Sequence, residues 1–397
     1  MQLAETASER ALADEVRAFL SRANLRSEDL PRGLDDRMEA LRRWQSACYE
    51  AGFVGRAWPS EFGGGGRPAV EQIIVDQELA AGSAPEFVNV VGLDVLGPSL
   101  LRFGNDEQRR RYIPPILAAR EIWCQGFSEP EAGSDLASLR TRAAPDGDNY
   151  VISGQKTWVS WGQYATFCGL LARTDDSVPR HRGISMLIVD MSSPGVEVRP
   201  MTQITGHAEF SELFLEDVVI PRENLLGQLG DGWKIAMHTL GHERGTAALP
   251  RQVKLRTWLD RAVSVAARRE LDGRPMLEDP EVQTALARAL IGVEVLRHHA
   301  YRTVGEFLSG GAVGPESSSV KLLMAEAEQR LAATVLEVLG PTLLSGDPDA
   351  APENDFWYET YLYSRAASVY GGARQIQRDI IADRILSLPK ESTWTSS

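Results

Sequence analysis

Cysteine is scarce in this 397-residue chain: Cys48, Cys124 and Cys168 are the full set. They stand far apart and lack the paired spacing of a zinc site, so neither a disulfide framework nor a structural metal is expected, and buried free thiols in a reducing cytoplasm fit them better. Six histidines form no HExxH, and His298 and His299 are neighbours that cannot share one helix face, so no metal centre is expected. No run of about 18 apolar residues occurs, which excludes an ordinary membrane helix. The stretch Met1–Arg17 carries Glu5, Glu9, Asp14 and Glu15 among apolar residues. That pattern predicts an amphipathic helix, not a basic and then apolar targeting peptide. Positive charge is in deficit, with 42 Lys and Arg against 55 Asp and Glu and a net charge of −13. A general affinity for nucleic acid is therefore not expected, although a local basic site for a phosphorylated ligand is compatible. The glycine run Gly63–Gly66 has neither GxGxxG nor GxxxxGK[ST] spacing and reads as a plain loop.

The periodicity of the apolar residues divides what is present into three. From about Glu5 to Ala119 they recur at helical spacing. From about Trp123 to Pro221 the pattern changes to short runs, Tyr150-Val151-Ile152, Gly169–Ala172, Ile184–Val189 and Leu213–Ile220, separated by turns such as Asp146-Gly147-Asp148-Asn149. From Gly232 the helices return and lengthen: Val320, Leu323, Met324, Ala327, Leu331, Val335 and Val338 form one stripe that Gly340-Pro341 stops. Helices, then strands, then helices predict an α+β chain with domains at 1–121, 122–227 and 228–397.

Two segments in the strand region carry chemistry. In Gly126-Phe127-Ser128-Glu129-Pro130-Glu131-Ala132-Gly133-Ser134-Asp135, small and hydroxylic residues follow an apolar run and present donors at a strand end. In Gly154-Gln155-Lys156-Thr157-Trp158-Val159-Ser160, an indole and a hydroxyl two residues apart point to one side of a strand, suited to stacking on a flat ring and bonding its heteroatom. Taken singly, the first segment reads as a turn and the second as a half-buried Trp beside a surface Ser.

Taken together, they resemble the acyl-CoA dehydrogenase family. The resemblance extends from Trp58-Pro59 and Gly63, through Leu96-Gly97, Phe103-Gly104, Phe127–Ser138, Trp158, Ser160 and Asp217-Val218 to Pro221, and on to Gly371-Gly372 and Gln375-Ile376-Gln377-Arg378. It implies an N-terminal helical domain, a middle β-domain and a C-terminal four-helix domain, with FAD held between the last two. By position, Gln125, Phe127, Ser128, Gly133 and Ser134 would line the flavin edge and the pantetheine channel, with Ser134 toward the CoA arm. Trp158 would pack on the flavin and Ser160 would face its N5.

The family's reaction needs a carboxylate in a dry pocket to take the substrate's α-proton. Many members place that Glu directly after the aromatic residue of the C-terminal signature, but here Val369-Tyr370-Gly371-Gly372-Ala373 has Gly371 there. A smaller group, which includes the isovaleryl- and long-chain enzymes, supplies it from an earlier helix before an Arg, and His242-Glu243-Arg244 matches that group. The resemblance therefore assigns Glu243 as the catalytic base, Arg244 as an adjacent substrate-side cation, and the Gly371 backbone N–H as a donor to the thioester carbonyl. Arg269, Gly372 and Gln375 would hold the ADP part of FAD. Asp272, Glu337, Gly340-Pro341 and Ala373 replace the residues usual there, which implies weaker FAD retention, a partner subunit that completes the half-site, or a local loop rearrangement that supplies substitute contacts. Gly241 stands where many relatives have an Asp, leaving CoA and a carrier-protein arm both open. The expected partners are an acyl thioester, electron-transferring flavoprotein and further subunits, as homodimer, homotetramer or heteromer. A flavin monooxygenase and a non-catalytic partner subunit on the same fold are the alternative readings.

Overall fold

The structure is a computed structural model that describes residues 6–246, 248–271, 273–308, 314–340 and 351–389; of 242–246, 271, 307–308 and 351–353 it describes the backbone alone. The chain forms two compact units, Gln2–Glu243 and Arg244–Ser397.

The first unit begins with helix α1 (Ala7–Ala23). Its entry is fixed by a reciprocal cap: Glu9 N–H donates to the Thr6 hydroxyl at 3.2 Å and Thr6 N–H to the Glu9 carboxylate at 2.7 Å. Two otherwise unbonded amides of the first turn are thereby satisfied. Leu12, Ala13 and Val16 are buried on one face, as an amphipathic helix requires. Helices α2 (Leu34–Glu50), α3 (Ala69–Ala81), α4 (Gly97–Phe103) and α5 (Asp106–Leu117) follow, and a π-helical turn at Val91–Leu96 runs directly into α4. The Gly63–Gly66 loop is tied into its own surroundings, with Gly65 N–H donating to Gly55 O at 3.0 Å and Gly66 N–H to Trp58 O at 2.8 Å.

Eight strands make one sheet: β1 (Trp123–Gly126), β2 (Arg142–Asp146), β3 (Asn149–Ser160), β4 (Phe167–Arg173), β5 (Ile184–Asp190), β6 (Val196–Met201), β7 (Phe210–Pro221) and β8 (Leu225–Leu226). Their order is β6-β7-β3-β2-β4-β5-β8, with β1 parallel to β4. A two-residue turn joins β2 to β3, with Gly147 at φ 55° supplying the left-handed conformation that such hairpins need. The uninterrupted apolar runs of β4 and β5 have a clear cause. Phe167, Leu171, Ile184, Met186 and Ile188 pack with residues of the helices, while Cys168, Leu170, Ala172, Leu187 and Val189 pack with β3 and β7. Both faces are covered, so neither needs polar residues.

Two buried amides lock the helices to the start of β1. Gln45 Nε2 donates to Ile116 O at 2.9 Å, and Gln45 Oε1 accepts from Asn89 N–H at 3.0 Å. Asn89 Nδ2 donates to Glu121 O at 2.8 Å, and its Oδ1 accepts Trp123 N–H at 2.9 Å. A satisfied network of this kind specifies where β1 begins, since breaking one link strands a buried polar group. Helix α6 (Gly232–Thr246) follows the sheet.

In the second unit, α7 (Ala248–Arg268), α8 (Pro280–Leu308), α9 (Ser317–Leu339) and α10 (Ala351–Ser364) are the long helices, joined by the small hairpin β9 (Glu270–Leu271) and β10 (Arg274–Pro275) and followed by the short α11 (Arg374–Ile380). Helix α9 is central and packs on α7, α8, α10 and α11. Val320, Ala327, Leu331, Val335 and Val338 of its stripe are buried, with Leu323 and Met324 partly so, and Gly340 ends it at φ 30°; Pro341 lies outside the described residues. Glu328, 1% exposed at its side chain, holds Arg251 of α7 through two hydrogen bonds of 2.5 and 3.1 Å. All three cysteines are buried and free. Among the described residues no helix is long and apolar enough to cross a membrane.

Candidate active site

Strand β3 is irregular where its chemistry lies. Its register against β7 shifts between Lys156 and Val159, so Thr157 and Trp158 together face Glu212 alone. A bulge of this kind re-aims a side chain. Trp158 sits at φ 58°, a left-handed conformation that costs a bulky residue about 1–3 kcal/mol. It is also 57% exposed, with its ring tilted at 77° against Phe210 at 6.0 Å. Past the bulge, Val159 is buried and Ser160 is partly exposed on the same side as Trp158.

The other segment docks on this bulge. Gln125 of β1, partly exposed, pairs with Gly169 of β4, and Phe127 turns its ring into the core. Thr157 N–H donates to Ser128 O at 2.9 Å. Lys156 Nζ donates to Phe127 O at 3.1 Å and to Glu129 Oε1 at 2.8 Å. The Glu129 carboxylate also takes the N–H groups of Arg140 at 2.6 Å and Thr141 at 2.9 Å. Mutual backbone bonds between Glu129 and Ala132 then close the Pro130-Glu131 turn, and Gly133 and Ser134 beyond it are exposed. Burial pushes the Glu129 carboxyl up, but the Lys156 charge and the bonds from Lys156, Thr141 and Arg140 outweigh it, and the group lies below the usual carboxylate range. Burial likewise lowers the Lys156 ammonium, with Glu129 opposing the shift.

In the second unit, Gly371 at φ 62° and Gly372 at φ 96° form a turn that leads into α11. Gln377, 1% exposed, donates from Nε2 to both carbonyl oxygens of that turn at 3.2 Å. At φ 96° any other residue would be strained, and a Cβ on Gly372 would stand 2.3 Å from that Nε2, so the turn favours glycine. Gln375 is exposed in the first turn of α11, Ala373 is its N-cap, and Glu337 is exposed on α9. Arg269 Nη2 donates to the Asn354 side chain at 3.1 Å. Lys321, buried, donates from Nζ to Ala367 O at 2.6 Å and lies 4.2 Å from the Tyr370 ring centre. Glu243 and Arg244 are on α6, but their side chains lie outside the described residues, as does Asp272.

Glu129, Lys156 and Gln377 do not stand out in the sequence as functional residues. One signal was available: Lys156 falls on the inward phase of β3 with Tyr150 and Ile152, where a charge needs a buried partner.

Three family models match the chain in succession: the acyl-CoA dehydrogenase N-terminal domain over residues 6–120, the middle domain over 124–218 and the C-terminal domain over 230–386. The chain belongs to the acyl-CoA dehydrogenase family. Acyl-CoA dehydrogenase IpdE1 of Mycobacterium tuberculosis is 40% identical over 357 residues, 89% of each chain. The mitochondrial short-chain specific acyl-CoA dehydrogenase of Rattus norvegicus is 31% identical over 343 residues, 85% of this chain and 81% of that one. Among solved structures, the ChsE4-ChsE5 complex from Mycobacterium tuberculosis superposes with a TM-score of 0.85 at 29% identity, covering 98% of this chain and 100% of that one. This acyl-CoA dehydrogenase is therefore an oxidoreductase of a flavin-dependent family. The donor set at its bulge suits such a group: an exposed indole held at a strained φ, with hydroxyls at Ser128 and Ser160.

Proposed function

We propose that this chain removes the α- and β-hydrogens of an acyl thioester, with FAD as cofactor and Glu243 as base. The observation that carries the reading is the joining of the two motif segments: Thr157 N–H on Ser128 O brings the Phe127–Ser134 loop against the bulge that exposes Trp158. Gln125, Phe127, Ser128, Gly133, Ser134, Trp158 and Ser160 would hold the flavin half of the cofactor, and Arg269, Gly372 and Gln375 its ADP half. When bound, FAD supplies the acceptor for the β-hydrogen and its electron pair.

The chain does the rest. Glu243 takes the α-proton on a carboxylate oxygen, and a dry pocket would raise its pKa toward the working pH. The Gly371 N–H donates to the thioester carbonyl oxygen, where charge gathers as the proton leaves. Gly371 has φ 62°, a conformation that disfavours a glutamate side chain at this position and so supports a base supplied from α6. Arg244 and Ser134 would contact the substrate, either CoA or a carrier-protein arm. Electron-transferring flavoprotein is the proposed acceptor of the electrons, and 1–121, 122–227 and 228–397 are the proposed domains. Three buried free thiols support a reducing compartment such as the cytoplasm. A homodimer or homotetramer is the proposed assembly, and likeness to the two-protein ChsE4-ChsE5 complex supports a heteromer beside it.

Anaerobic mixing of the flavin-loaded protein with a panel of acyl-CoA thioesters tests the function by bleaching of the flavin. The isosteric Glu243→Gln should slow bleaching by about 10²–10⁴-fold with FAD content unchanged. A variant that bleaches at the wild-type rate would overturn the assignment of the base.

A further inference from the structure

Lys156 and Glu129 are a buried ion pair that the proposed chemistry does not use, with side chains 0% and 7% exposed. Burying two charges rarely adds net stability, since desolvation offsets their attraction and an apolar pair of similar volume often serves as well. Its place in the fold is more telling than its energy. Lys156 immediately precedes the bulge residues Thr157 and Trp158, and Glu129 closes the loop that docks there.

The bonds set the direction of successive peptide planes. Lys156 Nζ draws the Phe127 carbonyl toward β3 at 3.1 Å, and Thr157 N–H draws that of Ser128 at 2.9 Å. In a trans peptide the N–H points opposite to the C=O, so drawing in the Phe127 carbonyl turns the Ser128 N–H away from β3. The Glu129 carboxylate anchors the far side, with Oε1 on Lys156 and Thr141 N–H and Oε2 on Arg140 N–H. Each oxygen is thus bonded, and a shift of either partner would strand a buried charge.

We infer that Lys156 and Glu129 are positioning residues: together they clamp the Phe127–Ser134 loop at a set height against Trp158, and so fix where its donors meet a flat heteroaromatic ligand. The inference rests on the flavin reading above. It adds that the pair acts through the loop and not on the ligand itself.

The test titrates FAD into the apo-protein and records the visible circular dichroism of the bound flavin, beside thermal unfolding. Lys156→Met should weaken FAD binding about tenfold or more, shift the flavin band and lower thermal stability. The double variant Glu129→Gln/Lys156→Met removes both charges and should recover much of the stability while leaving FAD affinity and the band perturbed. Recovery of all three together would make the pair merely structural and overturn the inference, as would a Lys156→Met protein with wild-type affinity and band. Should Lys156→Met fail to fold, Glu129→Gln and the double variant decide by the same readouts. A wild-type apo-protein that takes up no FAD would instead overturn the flavin reading itself, and the clamp with it.

Discussion

Gln377 Nε2 stands 3.2 Å from the carbonyl oxygen of Gly371, and equally far from that of Gly372. One buried amide thus holds both carbonyls of a left-handed turn to one side, and a side chain at Gly372 would have to displace that amide. The backbone N–H proposed to meet the thioester belongs to this turn.

Gln377→Leu should therefore do two separable things. Losing the buried bonds should cost about 1–3 kcal/mol in urea unfolding. The loosened turn should also raise KM for the thioester through Gly371 and lower FAD affinity through Gly372. A variant destabilised as stated but with wild-type KM would detach Gly371 from the substrate.

Trp158→Gly separates stability from binding. Glycine adopts φ 58° without strain, which offsets the lost packing of an indole that is already 57% exposed. The apo-protein should stay within about 1 kcal/mol of wild type while FAD affinity falls. Loss of several kcal/mol with unchanged FAD binding would show the indole to be a packing residue.

Asp76 supplies a pH dependence. Burial pushes its carboxyl up to about 7, against a bond from Gln72 and with help from the Asp94 charge. Below the ordinary carboxylate range the group is protonated whether folded or unfolded, and it costs nothing. As pH rises toward about 7 the unfolded chain ionises first, so stability falls across that window and levels off above it. Asp76→Asn should match wild type at pH about 4 and exceed it in urea midpoint at pH about 8. Identical profiles for the two proteins would place Asp76 in water.

The strand region is the part of the fold most legible in the chain itself. Its expected start, Trp123, is the first residue of β1, and its expected end, Pro221, is the last of β7, with only the two-residue β8 of that sheet lying beyond it. The α9 stripe ends at Gly340 as its spacing requires. Such features depend on neighbours a few residues away, which a sequence displays directly.

Tertiary structure decided the rest. The bulge at Thr157–Trp158 follows from the register of β3 on β7, so the conformation of Trp158 depends on a strand more than fifty residues on. The partner of Lys156 is Glu129, 27 residues earlier in a loop with no regular structure of its own. Gln377, which reads as one more polar residue of a short helix, is buried and bonded to both carbonyls of the Gly371-Gly372 turn. Residue type and spacing determined which elements form and which side chains could carry chemistry. Long-range register and the satisfaction of buried polar groups determined which of them meet, because a buried charge or amide must find its partner wherever the chain brings one.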